Sequence, residues 1–294
     1  MASKASERSC AWPEGVLPLT CFQEKIRELG VRLYRELPWR NCSDAYAVLV
    51  SEVMLQQTQV KRVLSYWPRF LKSFPTLDAL AAADTSDVLT LWQGLGYNRR
   101  ALMLKKCADT CAAGNGGLLP NDYESLLELP GVGPATAAGV VAFAYDRPSV
   151  YLETNVRTVF LHELFPNADG VSDAAIRPLV EMSCPSANVR GWYYALLDYG
   201  AHLKQTVPNP SRRSAHHVRQ SVFEGSRRQK RAELVRIVLG SGSSGISLRA
   251  AYDELNAVET AARRAPIDYG YFEALVHDLV EEGFFSLTDG LLVS

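Results

Sequence analysis

Histidine and cysteine are both scarce, and neither is arranged for metal chemistry. The five histidines are scattered apart from the pair His216 and His217, and the six cysteines, Cys10, Cys21, Cys42, Cys107, Cys111 and Cys184, follow no repeated spacing. That pattern excludes a disulfide framework and leaves reduced thiols in a cytosolic protein as the expectation. Cys107 and Cys111 fall one helical turn apart, where two thiols without nearby partners read as core packing, not as ligands. Long apolar runs are also missing. None approaches bilayer-spanning length, and the opening Met1-Ala2-Ser3-Lys4-Ala5-Ser6-Glu7-Arg8 has no apolar signal core, so a soluble, intracellular protein with no membrane contact is expected. Neither sign of charge is in excess. With 31 Lys and Arg against 32 Asp and Glu the formal net charge is −1, which confines any nucleic-acid contact to local patches. Sustained polar–apolar alternation is absent up to Lys204 and no internal repeat is visible, so sheet-based and solenoid architectures drop out.

What remains is helical periodicity. It predicts helices over Phe22–Glu36, over Ala45–Gln57, and at about 60–73, 84–93, 99–113, 121–129, 134–145, 156–165, 173–183 and 189–204. Turn signals such as Phe74-Pro75, Gly94-Leu95-Gly96, Gly114-Asn115-Gly116-Gly117 and Asp146-Arg147-Pro148 separate them. Residues 1–21 read as a tail broken by Pro13, Gly15 and Pro18. From 205 to 231 the character changes, with Pro208 and Pro210 followed by Arg212, Arg213, Arg219, Arg227, Arg228, Lys230 and Arg231 against one acid, Glu224. Such a charge run is either a solvated linker or a contact for DNA phosphates, and the second reading is favoured here. Residues 232–294 then read as three short helices, Ala232–Leu239, Ser247–Asn256 and Tyr269–Glu282, closed by a hairpin around Thr288-Asp289-Gly290. The expected fold is therefore mostly α, with a small C-terminal winged-helix-like α/β domain whose partner is DNA or protein.

Three features carry chemistry. Leu129-Pro130-Gly131-Val132-Gly133, followed by Pro134, predicts helix, glycine hairpin, helix; it is an ordinary corner or a place where a phosphate meets N–H groups at a helix N-terminus. Glu52 lies on a helix with Val48, Leu49 and Leu55 at neighbouring positions, either solvated or desolvated enough to favour its neutral form and donate a proton. Glu153, at the end of Ser149-Val150-Tyr151-Leu152, sits beside a helix N-terminus, where it is a plain cap or a carboxylate whose pKa is held low. Two carboxyls whose surroundings push their pKa values apart suit the breaking of a glycosidic bond. Flipping a base out of a duplex needs residues to fill the vacated stack, and Leu55, Gln56, Gln57 and Tyr97 are of the right types.

Leu37-Pro38-Trp39-Arg40, Ser51-Glu52-Val53-Met54-Leu55-Gln56-Gln57-Thr58-Gln59-Val60, Leu91-Trp92-Gln93-Gly94-Leu95-Gly96-Tyr97, the hairpin, and Leu197-Asp198-Tyr199-Gly200-Ala201 occur in that order. Over about residues 22–204 the chain thereby resembles the MutY adenine DNA glycosylases of the endonuclease III-like helix-hairpin-helix superfamily. The resemblance implies a helix-hairpin-helix glycosylase domain of two helical lobes, acting on double-stranded DNA. It implies that Glu52 protonates the adenine, that Glu153 takes the place of the catalytic aspartate with Asn155 supporting it, and that Trp39, Arg40 and Asp198 line the base pocket. Leu55, Gln56, Gln57 and Tyr97 would occupy the gap around the opposing base. Gly131, Gly133 and Thr136 would hold backbone phosphate, with a monovalent cation on the carbonyls of 129–133, and Arg212 and Arg213 would add DNA contacts.

The chain departs from that family in three ways. Glu153 stands where the family has aspartate, which moves the carboxylate outward by a methylene. The positions of the four cluster cysteines fall at Lys204, Ser211, Ser214 and Gln220, so a clusterless relative without cofactor is expected. The last residues read as a winged helix where many members carry a Nudix-like domain. Ala135 where the lyase branch carries lysine implies a monofunctional enzyme. The expected function is hydrolysis of adenine from a mispair with 8-oxoguanine or guanine, by a cytoplasmic, nucleoid-associated monomer. The alternatives are a glycosylase for another damaged base and a DNA-binding lesion sensor without catalysis.

Overall fold

The computed structural model describes residues 11–114, 116–218 and 222–294. The helices are α1 (Leu19–Leu33), α2 (Ala45–Leu55), α3 (Val60–Ser73), α4 (Leu77–Ala82), α5 (Thr85–Trp92), α6 (Arg99–Gly114), α7 (Tyr123–Leu127), α8 (Pro134–Tyr145), α9 (Thr154–Leu164), α10 (Asp173–Ser183) and α11 (Val189–Thr206), then α12 (Arg227–Gly240), α13 (Leu248–Ala261) and α14 (Tyr269–Glu282). Three short strands, β1 (Ile246–Ser247), β2 (Ser286–Thr288) and β3 (Leu291–Val293), complete the fold. Among the described residues no helix is long and apolar enough to cross a membrane.

The mostly helical expectation holds, with two local corrections. Helix α4 follows directly on Phe74-Pro75, where the sequence reads as a turn alone; Thr76 caps it by accepting from the Ala79 N–H at 3.1 Å. Helix α12 begins at Arg227, inside the stretch expected to be a linker, because the Ser226 side chain caps it by accepting from the Gln229 N–H.

Two compact units make up the chain. Of the described residues, the first comprises 11–49, 121–127 and 133–218, and the second 50–114, 116–120, 128–132 and 222–294. In the first, α11 packs against both α1 and α9, and the seam is aromatic: Phe22 lies with its ring 5.4 Å from Phe160 and 6.1 Å from Trp192. Phe143 of α8 stacks on Tyr194 of α11 at 4.9 Å, 5° from parallel. In the second, Phe70, Phe74 and Trp92 form a cluster beneath α3 and α5, and α4 packs on α6. Cys107 and Cys111 are buried in this core as free thiols, as packing residues should be.

The C-terminal residues 232–294 thus share the second unit with residues 50–120. Their sheet is antiparallel in the order β1-β3-β2, with Leu292 opposite both Ile246 and Leu287. Asp289 and Gly290 turn the hairpin with φ of 51° and 77°, the backbone that a tight two-residue hairpin turn requires. On α13, Glu259 is fully buried and bridges Lys230 and Arg264 at 3.0 Å each.

Candidate active site

In the first unit, the extended segment leading to α9 is fixed at several points. Ser149 Oγ donates to the Ala138 carbonyl at 2.8 Å, Tyr193 Oη donates to the Ser149 carbonyl, and the Tyr151 N–H donates back to Tyr193 Oη at 3.2 Å. The segment delivers Glu153 as the N-cap of α9. Glu153 Oε1 accepts from the Asn155 N–H at 2.6 Å and from the Val156 N–H at 3.2 Å. The extra methylene therefore does not carry the carboxylate away from the helix. The longer side chain folds back so that one oxygen takes both N–H groups, with Oε2 outside the cap.

Burial then works against the helix. Desolvation is the largest influence on Glu153 and pushes its pKa up, opposed by the two N–H donors and by the charges of Lys204 and Arg157. The expectation of a low pKa from the helix terminus alone is corrected accordingly. The terminus is present, but removal of water from the carboxylate outweighs it.

Helix α11 supplies the other wall. At Gly200 a Cβ would overlap the Asn155 carbonyl oxygen, so glycine is what lets α11 approach the first turn of α9 this closely. One turn later, Lys204 Nζ donates to Asn155 Oδ1 at 2.6 Å. Burial pulls the Lys204 ammonium below the usual lysine range, while the Glu153 carboxylate pulls it back. Arg157, also on α9, is tied by Nε and Nη2 to Asp173 at 2.7 Å each.

Arg40 and Asp198 are brought together as a closed pair. Arg40 Nη1 and Nη2 grip Asp198 Oδ2 and Oδ1 at 2.7 and 2.8 Å, with each side chain only 1% exposed. Arg35 adds its Nε and its backbone N–H to the same carboxylate, and the Arg40 guanidinium lies 4.4 Å from the Tyr194 ring centre. Fork geometry and ring stacking make this an arginine site that lysine cannot fill. Trp39 is buried beside it in sequence.

The second unit holds the other set. On α2, Val53 and Met54 are buried and Glu52 is half-buried; Val48 and Leu49, also buried, belong to the part of α2 in the first unit. Beyond Leu55 the chain turns through exposed Gln56 and Gln57, the latter at φ 52°; Tyr97 takes a similar left-handed φ of 49°. Arg100 ties these two turns together. Its guanidinium donates to the carbonyls of Val53, Met54, Gln56 and Gly96 at 2.8, 3.0, 2.5 and 2.8 Å and to Thr58 Oγ1 at 3.0 Å. Nothing in the spacing of the sequence singles out Arg100 over Arg99; only the turns it closes do.

The hairpin residues have separable roles. Gly131 has φ 76° and a Cβ there would overlap Met103 of α6, so this glycine is required by the turn and by packing. Gly133 faces open space instead and is the N-cap of α8. The N–H groups of Ala135 and Thr136 precede the first helical bond of α8, from the Ala137 N–H to the Gly133 carbonyl at 2.9 Å. Thr136 is itself buried.

Much of the basic stretch is engaged within the protein. Arg213 donates to the carbonyls of Leu161, Phe165 and Pro166, which makes it a brace for its own loop. Arg227 pairs with Asp278 at 2.6 Å, Lys230 with Glu259 at 3.0 Å and Arg231 with Glu282 at 2.8 Å. Arg212 is exposed, and Arg219 lies outside the described residues. The run reads as basic in sequence because its acidic partners are tens of residues away.

The places that the family resemblance assigns to cluster cysteines hold Lys204, Ser211, Ser214 and Gln220, none of them a thiol. Lys204 is a cation on an amide, Ser211 Oγ donates to Asn209 Oδ1 at 2.8 Å, and Ser214 Oγ accepts from the His216 N–H at 3.1 Å; Gln220 lies outside the described residues. Thiolates are what such a cluster needs. The loop is held instead by Arg213 and by a parallel bridge between Ser214 and Val171. Among the described residues no cluster of three or more His, Cys, Asp or Glu is placed to hold a metal ion.

Residues 50–182 match the model of the HhH-GPD superfamily of base excision DNA repair proteins. The chain is 45% identical over 139 residues to an adenine DNA glycosylase of Mycobacterium tuberculosis, covering 47% of this chain and 46% of the relative. It is 33% identical over 232 residues to that of Mus musculus, covering 74% and 44%. The matched stretch thus spans less than half the length of either relative. Among solved structures, a thermostable thymine-DNA glycosylase is similar with a TM-score of 0.58 at 24% identity, covering 62% of this chain and 86% of that one. A non-covalent endonuclease III–DNA complex follows at 0.55 and 19%, covering 65% and 90%. These two likenesses establish the fold.

Proposed function

We propose that this chain, whose residues 50–182 match the model of the HhH-GPD superfamily of base excision DNA repair proteins, is a monofunctional DNA glycosylase that hydrolyses the N-glycosidic bond of a flipped adenine mispaired with 8-oxoguanine or guanine. The observation that carries the reading is Glu153: a desolvated carboxylate capping α9, with cationic Lys204 and Arg157 around it and Oε2 outside the cap. In the reaction, Glu52 gives a proton to the adenine ring. The bond from the base to C1′ breaks with its electron pair going to the base, and the cationic sugar is stabilised by the Glu153 carboxylate. Water then adds its oxygen to C1′ and loses a proton, leaving an abasic site.

The rest of the machinery serves positioning. The open side of Gly133 and the N–H groups opening α8 take a backbone phosphate. The hairpin carbonyls of 129–133 are oxygen donors of the class a hard cation prefers, so a monovalent cation fits there as added charge beside that phosphate. Leu55, Gln56, Gln57 and Tyr97, held by the Arg100 clamp, enter the gap around the opposing base. The chain works as a monomer on duplex DNA of the nucleoid.

Duplexes carrying A opposite 8-oxoguanine or G, labelled on the A strand and treated with alkali after incubation, test this. Scission at the A is expected, lost in Glu52→Gln and in Glu153→Gln. Intact strand with stoichiometric protein overturns the proposal.

A further inference from the structure

Lys204 lies outside every motif that carries the family resemblance, yet it reaches into the first turn of α9. Three contacts converge on Asn155: its backbone N–H donates to Glu153 Oε1 at 2.6 Å, its carbonyl rests against the bare Cα of Gly200, and its amide oxygen accepts from Lys204 Nζ at 2.6 Å. Asn155 is thus held from both ends by α11 while it holds Glu153.

We propose that Lys204 is a positioning residue for the Glu153 carboxylate: its ammonium fixes Asn155 through the amide oxygen, keeping the Asn155 N–H aimed at Glu153, and it is the cation that offsets that carboxylate's charge. The inference rests on the reading of Glu153 as the carboxylate that meets the sugar cation.

The charged groups acting on Glu153 are Lys204 from α11 and Arg157 on α9 itself. They are not equivalent. Arg157 is engaged by both oxygens of Asp173 from α10, so most of its charge is answered there. Lys204 bonds a neutral amide, so its charge is left for Glu153. A partly desolvated carboxylate is kept ionised by such a partner, and only the ionised form stabilises a sugar cation. The longer Glu153 and the cation behind Asn155 form one arrangement.

The test uses the full chain with Lys204→Met, Lys204→Gln and Lys204→Arg. Carboxyl ¹³C shifts of glutamate-labelled protein are followed against pH without DNA, and the Glu153 resonance is identified by its loss in Glu153→Gln. Removing a nearby opposite charge moves a carboxyl by about one pH unit or more. The Glu153 midpoint is expected to rise by that amount in Lys204→Met and Lys204→Gln and to return toward wild type in Lys204→Arg. Lys204→Gln keeps a donor for Asn155 and guards against a folding defect in the methionine variant.

In single-turnover base release, the acid limb of the pH–rate profile should move up by the same amount while duplex affinity is unchanged. An unmoved Glu153 midpoint in the neutral variants overturns the proposal, as does a rate loss equal at every pH. Wild-type protein that releases no base overturns the proposed function but leaves the titration to judge Lys204 by itself.

Discussion

Arg228 Nη1 donates to the Tyr97 hydroxyl at 2.5 Å, and its guanidinium lies 5.4 Å from the centre of the Tyr97 ring. A residue of the first C-terminal helix thereby holds the side chain proposed to enter the DNA gap, and Phe223 lies on the same guanidinium at 5.9 Å. Arg228→Ala should weaken binding to a mispaired duplex about tenfold, the loss of a charge-assisted hydrogen bond worth roughly 1.4 kcal/mol. Fluorescence anisotropy at fixed salt measures it. Arg228→Lys should recover little, since a lysine lacks the planar fork that bonds and stacks together. Unchanged affinity in both variants would detach the C-terminal helix from DNA recognition.

Arg100 closes two turns at once, so its removal should be felt in stability before activity. Arg100→Ala leaves several backbone carbonyls without their donor. A cost on the order of 3 kcal/mol follows from the count of bonds and the burial. Urea unfolding should show a lower midpoint with the slope unchanged. Burial brings the Arg100 pKa down only to about 10, so the guanidinium remains charged at neutral pH and the effect should be flat between pH 6 and pH 8.

Much of this architecture is legible in the chain because helix period and turn residues are local signals. Gly131, Pro134 and the Asp289-Gly290 turn sit where their backbone preferences place them. The partners of the cations are not legible. Lys230 and Glu259, or Arg213 and the Leu161 carbonyl, are brought together by packing that no spacing encodes, so a braced segment reads as a free basic run. Glu153 fails for a related reason. Its place at a helix N-terminus is local and readable, whereas the burial that reverses its pKa comes from the elements packed over it. Lys204 has no role that its own neighbours in sequence suggest until α11 and α9 are set side by side.

The C-terminal part should be sensitive to acid through Glu259. Its pKa is lowered, first by the hydrogen bonds from Arg264 and then by Lys230. A carboxylate with a depressed folded pKa contributes stability that is present above its ordinary value of 4.5 and lost as pH falls through the folded one. Thermal melts from pH 7 downward should therefore hold until about pH 4.5 and fall below it. Glu259→Gln leaves Lys230 and Arg264 without their partner and should cost about 3–5 kcal/mol at pH 7, an upper range since Arg264 keeps some contact with water. A melting curve indistinguishable from wild type would show that the bridge adds nothing.

Glu153→Gln should trade activity for stability, and the two readouts separate a working carboxylate from a helix cap. The Gln side-chain oxygen can still accept from the Asn155 and Val156 N–H groups, so the cap survives the change. The charge does not. Because the folded pKa of Glu153 lies above its ordinary 4.5, the folded state holds the proton more tightly than the unfolded state, and stability declines as pH rises through the folded value. The glutamine variant carries no such penalty. It should melt with wild type near pH 4 and above it at pH 7, by roughly 2–4 °C for each 1 kcal/mol relieved. Base release should fall by about 10²–10³-fold, the size expected when a group opposing developing charge is removed. A variant that keeps full activity would leave Glu153 as a cap; a variant that loses activity but melts lower at pH 7 would mean that its charge supports the fold, against the desolvation that raises its pKa.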